Sequence, residues 1–512
     1  MSALHIGQRL SYSGSLCTVR YIGPVTGTDG EWLGVEWDNV SRGKHSGQHG
    51  GKRYFEAKLS NSSTFIRTTR APDPPVTFLE ALRNKYTTEK DISFEIGKPI
   101  SLSATKVFEE VGFDKILEKL GRLRELEVVL LDGMRIVRGD GATEVLDTCP
   151  KIEELDVSRN LWEGLEDIAG VCRGLKMLKG LRISGNRFSS LEIGDGDPPF
   201  EGVVSLEVNN TLFDWAEVSH ILQFFPQIHT LFSASNNTTE IPKSITLPHT
   251  LTTINLEQNA FTSLSSIFPL SNLPQLKKLI LAHNTISTVH TPESSPVVFP
   301  SLEHLDLSFN SLGTYPLLDL LPPLFPCLTS LRISHNPLFS STPLEEAHML
   351  AVARTPARVI TLNYSKITES ERANAELYYL NQIAKEMAKV EEGMEDTVLR
   401  DHKRWEELCE LHGKPIIDRS TEEKKTLATK LIDLEFLSEG KDPLVKKIPK
   451  SLSISTLKGL IGRMFGIAPL KVQMEYHPLE EGGDFIPLDD DIKEIGFYID
   501  NREGRIKVAE RA

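Results

Sequence analysis

The chain has 512 residues, a formal net charge of −14 and 25% charged residues. That length exceeds one ordinary domain and predicts several modules, each with its own core. The acidic balance excludes a general nucleic-acid binder. No apolar run approaches the roughly eighteen residues of a membrane-spanning helix, and the start, MSALHIGQRLSYSG, lacks a signal-peptide apolar region. Five scattered cysteines (Cys17, Cys149, Cys172, Cys327, Cys409) predict neither a disulfide framework nor a zinc site. A cytoplasmic protein is expected, with no membrane or nucleic-acid partner.

Residues 1–70 carry +4 and the remainder −18, so a basic first module with an acidic partner is expected. The runs SLCTVRYIG, EWLGVEWD, RYFEA and STFIRT, broken by glycine clusters, predict short strands of a small all-β barrel. The prolines of APDPPV (71–76) end it, because they cannot continue a sheet. A Trp-containing strand, EWLGVEWD, followed by the loop GKHSG (Gly43–Gly47) and RYF (Arg53–Phe55), resembles a CAP-Gly domain. That resemblance implies binding of acidic C-terminal peptides that end in an aromatic residue, such as the tail of α-tubulin.

The residue types suit the task. Gly43, Gly47, Gly50 and Gly51 would let backbone N–H groups approach carboxylates, and Lys44 would add a point charge. Trp32, with Tyr54 or Phe55, would offer an apolar slot. Tyr54 and Phe55 are neighbours on an expected strand, so only one should face the groove. The bland alternative places Trp32 and Phe55 in the barrel core and leaves Lys44 as a solvated turn residue. His45 and Ser46 stand where the family loop, GKNDG, has Asn and Asp. The loss of a carboxylate there is compatible with an acidic ligand and bears on loop geometry.

Residues 71–125 read as a linker and N-terminal repeat cap, containing the amphipathic piece FLEALRNKY. From Leu126 to 366 a frame L-x-x-L-x-L-x-x-N recurs. Clear copies start at Ile152, Leu178, Ile228, Leu251, Leu276, Leu302 and Leu328, and degenerate ones at Leu126, Val203 and Ala357. Their spacing is the leucine-rich-repeat period. Alternate leucines on a short strand point into a stacked core, and the asparagine bonds backbone groups at the turn. Between the inward leucines, Arg182, Lys277, Lys278, His304 and Arg332 are candidate surface contacts.

Residues 367–424, charged with helical apolar spacing, read as a helical cap and linker, with a partner-binding amphipathic helix as the alternative. Residues 425–512 follow the order strand, turn, strand, helix, strand, strand, which resembles an α+β ubiquitin-like β-grasp domain. The fold class is therefore multidomain: all-β CAP-Gly barrel, α/β leucine-rich-repeat solenoid, ubiquitin-like domain.

That order of modules resembles the tubulin-folding cofactor E family. The resemblance implies capture of α-tubulin during heterodimer assembly, cooperation with other tubulin-folding cofactors, heterodimer disassembly and a place at the cytoskeleton. The Pro-rich junction is expected to limit how far the first two modules wander. Two alternatives stand beside this reading. One is a microtubule-tip adaptor, against which the absence of a long heptad coil counts. The other is a ubiquitin-pathway adaptor reaching the proteasome through residues 425–512. The motifs GxxxxGK[ST], HExxH and GxSxG are missing, so no enzyme, cofactor or metal is expected.

Overall fold

In the first module β1 (Arg9–Tyr12), β2 (Ser15–Pro24) and β3 (Glu31–Trp37) are followed by a hairpin of β4 (Gln48–His49) and β5 (Lys52–Arg53), then β6 (Ser63–Arg67). The antiparallel sheet has the order β1-β2-β3-β6. The computed structural model describes residues 4–86, 123–289, 297–340, 342–417, 419, 431–477, 485–491, 493–499 and 503–510; most of the segment between FLEALRNKY and the repeats, including VGFDKI, lies outside them. Leu10, Tyr12, Cys17, Val19, Leu33, Val35, Trp37 and Ile66 fill the module's core. Because Leu33, Val35 and Trp37 point inward, alternation turns Trp32 and Gly34 to the opposite face. The expected strand RYFEA shrinks to Lys52–Arg53, and Tyr54 and Phe55 lie in irregular chain beyond it. The Gly50–Gly51 pair, both at positive φ, makes the tight hairpin that joins β4 to β5.

Residues 1–417 form one unit, and in it the first module packs directly on the repeats. His5 Nε2 lies 2.7 Å from Glu163 Oε2, and the Arg9 N–H donates to Glu163 Oε1 at 3.3 Å. Arg9 is 1% exposed; it is anchored by Asp38 and reaches the Asn160 carbonyl. Gly7 faces Ser189, and Arg20 and Lys58 line a small crevice with Arg187, Phe188 and Phe213. Beyond the prolines, Val76–Thr77 pairs in parallel with Ile136–Arg138, so the junction itself is held on the repeat array. Direct packing, rather than linker stiffness, fixes the module.

The repeats build a parallel ladder of mostly three-residue strands from Val128–Leu130 to Thr361–Leu362. Val129, Leu155, Leu181, Leu206, Leu231, Ile254, Leu279, Leu305, Leu331 and Leu362 stand in register, and each is buried. The repeat asparagines tie neighbouring repeats together. Asn310 Nδ2 donates to Leu281 O (2.9 Å) in the preceding repeat and to Leu307 O (3.1 Å) in its own, while its Oδ1 accepts from Ile286 N–H (2.9 Å). Asn284 and Asn336 repeat the pattern. Thr211, in an asparagine place, bonds Val208 O through its hydroxyl. The last copy is corrected. Leu331 pairs with Leu362, which puts the repeat start at Val359 rather than Ala357, and Ile360, expected inside, is 53% exposed. Alternation alone cannot distinguish the two frames once the asparagine is gone.

Helices Leu344–Arg354, Glu369–Met387 and Trp405–His412 extend the repeat core over the last repeat: Ala375, Tyr379, Leu380, Ile383, Met387 and Leu408 belong to the same buried cluster as Leu362. Between them lies a charged network. Arg354 pairs with Asp319 and approaches His402 Nδ1 at 3.2 Å. Tyr379 OH meets that same nitrogen at 2.8 Å, and His402 Nε2 meets Glu386 at 2.9 Å.

Residues 418–512 form a second unit. Its sheet runs Leu444–Pro449, Leu431–Ser438, Glu503–Glu510, Val472–His477, Ile486–Pro487, with the first and last strands of the unit parallel to each other. The helix Ile454–Phe465 buries Ile454, Leu457, Ile461 and Phe465 among Ile432, Leu434 and Phe436 of the sheet. This is a β-grasp arrangement. No helix among the described residues is long and apolar enough to cross a membrane.

Candidate peptide-binding site

The loop Gly43–Gly47 is pressed against its own barrel. Lys44 N–H donates to Ser63 O at 2.8 Å, and the Ser63 N–H returns a bond to His45 O at 2.9 Å. A side chain at Gly43 would collide with the Asn61 carbonyl, and one at Gly47, which has φ +98°, with the Phe55 carbonyl. These two glycines therefore serve close backbone packing, and Gly50 and Gly51 serve the hairpin turn.

His45 and Ser46 rebuild the loop that the family makes with Asn and Asp. His45 Nδ1 accepts from the Gly47 N–H at 3.0 Å, the bond to the residue two further on that an asparagine oxygen makes in an Asx turn. Ser46 Oγ accepts from the Asn61 N–H at 2.9 Å. As an acceptor, Nδ1 must be unprotonated; burial and the neighbouring His49 hold the imidazole below its ordinary range.

The aromatic residues gather around one ring absent from the expected set, Phe65. Tyr54 and Phe55 lie 5.4 and 5.8 Å from it, His45 5.0 Å, His49 6.1 Å and Tyr21 6.3 Å. Both Tyr54 and Phe55 thus face the same cluster, because irregular chain does not obey the alternation expected of a strand. Phe55 covers Gly34, where any side chain would clash with its ring. Tyr54 OH donates to Thr26 Oγ1 and accepts from the Thr26 N–H, both at 2.8 Å. Trp32 stands on the same sheet face but outside the cluster, with the Arg67 guanidinium 3.9 Å over its ring. Trp32 and Phe55 are both half-buried rather than core, and Trp37 takes the core place. The signal for Phe65 was present in STFIRT: an inward Ile66 turns Phe65 outward.

Lys44 is exposed, and among the described residues it makes no ion pair. Lys52 lies 5.2 Å over the Tyr54 ring. The result is a half-buried aromatic floor with Lys52 at its margin, and an adjoining loop that holds the exposed Lys44 and no carboxylate. Such a surface suits an acidic peptide with a terminal ring, the lysines attracting carboxylates and the floor accepting the ring.

The repeat-face candidates divide. Lys278 and His304 are paired in register on adjacent strands, and both are exposed. Arg332 is engaged, bonding Asp306 at 2.5 Å and stacking 3.9 Å over Tyr364. Lys277 pairs with Glu303 at 3.2 Å. Arg182, with three strands between it and Lys278, is held by Glu207 at 2.9 Å and Glu154 at 3.8 Å.

A CAP-Gly domain family model matches residues 6–71, and a leucine-rich-repeat model matches residues 301–328. Tubulin-specific chaperone E of Bos taurus is 28% identical over 509 residues, covering 96% of each chain. The Homo sapiens protein of that name is 28% identical over 510 residues with the same coverage. The solution structure of the C-terminal ubiquitin-like domain of mouse tubulin-specific chaperone e aligns at 21% identity with TM-score 0.15, over 16% of this chain and 89% of that one. Over 96% of its length the chain is similar to the tubulin-specific chaperone E proteins.

Proposed function

We propose that this protein is a tubulin-folding cofactor that captures α-tubulin, taking its acidic-aromatic tail in the first module's groove and its body on the repeats. The observation that carries the reading is similarity to tubulin-specific chaperone E over 96% of both chains. The half-buried ring cluster around Phe65, with exposed Lys44 in the loop that brings His45 to it, supports tail recognition. In this reading the chain works in the cytoplasm and at the cytoskeleton, assembling α/β-tubulin heterodimers and taking them apart. Other tubulin-folding cofactors would be its partners, and ubiquitin-pathway or proteasome proteins would meet residues 425–512. It asks for binding energy and not for catalysis, so nucleotide hydrolysis falls to tubulin.

Titration of the full chain with α-tubulin, with α-tubulin lacking its tail, and with the tail peptide tests this. Tail removal should weaken capture without abolishing it, and the peptide alone should bind weakly and lose affinity with salt. A peptide that binds as tightly as whole α-tubulin would remove the repeats from the tubulin surface and overturn the chaperone reading.

A further inference from the structure

The residue before each repeat asparagine turns the chain through left-handed space: φ is +48° at Arg159, +66° at Gly185, +51° at Asn210, +58° at Ser235, +55° at Gln258, +54° at His283, +54° at Phe309 and +57° at His335. Glycine, asparagine and histidine tolerate that conformation, whereas a bulky side chain there is strained. Phe309 is the one aromatic ring besides histidine in this series, which also holds the long side chains of Arg159 and Gln258. Its ring is not buried in compensation: the residue is 39% exposed, and the ring stands between the exposed imidazoles of His283 and His335. The centroids are 4.1 and 4.0 Å apart and the planes within 12° and 11° of parallel. His335 also walls a groove of about 1330 Å³ between the last repeats and the capping helices. Pro337, Phe339, Leu344 and Met349 give that groove its apolar lining, and Leu344 is 75% exposed. Strain retained at a solvent-facing aromatic points to recognition rather than packing.

The same edge of the ladder already carries the first module, whose contacts fall on Asn160, Glu163 and Arg187–Ser189, just past the left-handed turns of the second and third repeats. Phe309 lies five repeats beyond Gly185, about 24 Å along the edge at a strand spacing of about 4.8 Å. A body whose tail is held in the first module's groove would therefore lie over the uncovered part of this edge. The groove holds Glu345 and Glu371, the latter bonded to His348 at 2.8 Å, so its charge disfavours the acidic tail itself.

We propose that the His283–Phe309–His335 ridge and the adjoining groove are a second docking surface, which takes an apolar loop on the folded body of the same acidic-tailed client. This rests on the capture reading above. The test uses full-length protein with Phe309→Asn, which suits the left-handed turn, and separately Leu344→Ser. Binding is measured to intact α-tubulin, to tail-less α-tubulin and to the tail peptide, with thermal midpoints as the folding control. Roughly five- to tenfold weaker binding of both protein ligands by both variants is expected, with peptide affinity and midpoint unchanged. Unaltered affinity of folded variants for intact α-tubulin overturns the inference while leaving tail capture standing. Wild-type protein that binds no α-tubulin overturns the capture reading, and this inference with it.

Discussion

Lys44 reads as a functional candidate because a lysine in a glycine-bounded loop has few structural duties, and it stands exposed. Lys44→Ala should weaken binding of the α-tubulin tail peptide by several-fold, about 1 kcal/mol for an exposed charge contact. The difference should shrink as salt rises. Equal peptide affinities for both proteins at low salt would remove Lys44 from the site. The ring system was less legible. Trp32, Tyr54 and Phe55 follow from the sequence motif, whereas the centre of the cluster, Phe65, sits on a strand that reads as ordinary sheet. Its role comes from β3 and β6 lying side by side, which sets Phe65 opposite the bare Gly34 that Phe55 covers. His45 carries a similar lesson. A departure from the family loop preserves the turn, because an imidazole nitrogen can accept the Gly47 N–H as an asparagine oxygen would.

At the scale of elements, the repeat frame was readable because each position has one physical duty: leucines to the core, asparagine to the turn. Asn310→Leu leaves the buried Ile286 N–H without its partner, and the Leu281 and Leu307 carbonyls keep only the amides of Asn284 and Asn336; the change should cost about 1–3 kcal/mol. Lys277→Ala, which removes only an exposed pair with Glu303, should change stability by less than about 0.5 kcal/mol. Thermal scans of the two variants check the register, and a larger loss at Lys277 would contradict it. The capping helices yield a prediction about pH. Burial holds the His402 imidazole below its ordinary range, and Nδ1 is occupied by Tyr379 and Arg354. In the unfolded chain a histidine titrates near 6.5, so below about that pH the unfolded state takes up a proton the native state resists. The stabilisation from His402 is thus full above about pH 6.5 and lost as pH falls through the lower folded value. Asp319 acts in the opposite sense, since burial lifts its carboxyl to about 6 despite Arg354. The clean measurement is therefore a difference: the gap in Tm between wild type and His402→Gln should narrow between about pH 7.5 and about pH 5.5. A constant gap would show that His402 keeps the same proton count on unfolding.

For the whole molecule, the first module's seat on the repeats fixes the groove relative to the array. Loss of Glu163 removes its bonds to His5 and Arg9. Glu163→Ala should therefore lower affinity for whole α-tubulin by several-fold while leaving tail-peptide affinity unchanged, because a freed module presents its groove at lower effective concentration. Equal affinity of Glu163→Ala and wild type for whole α-tubulin would mean that this seat does not matter to capture. By itself the sequence determined the modules and their order, the repeat period, the inward leucines and the loop that marks the first domain, since each depends on residues close together in the chain. Only the tertiary structure decided that the first module is seated on the second and third repeats. The contact between Arg9 and Asn160 spans 151 residues, and no local pattern encodes it. It likewise decided that Phe65 centres the ring cluster and that the final repeat begins at Val359. In each case the outcome depends on which strands lie side by side, and pairing energy between distant segments leaves no periodic trace in either segment alone.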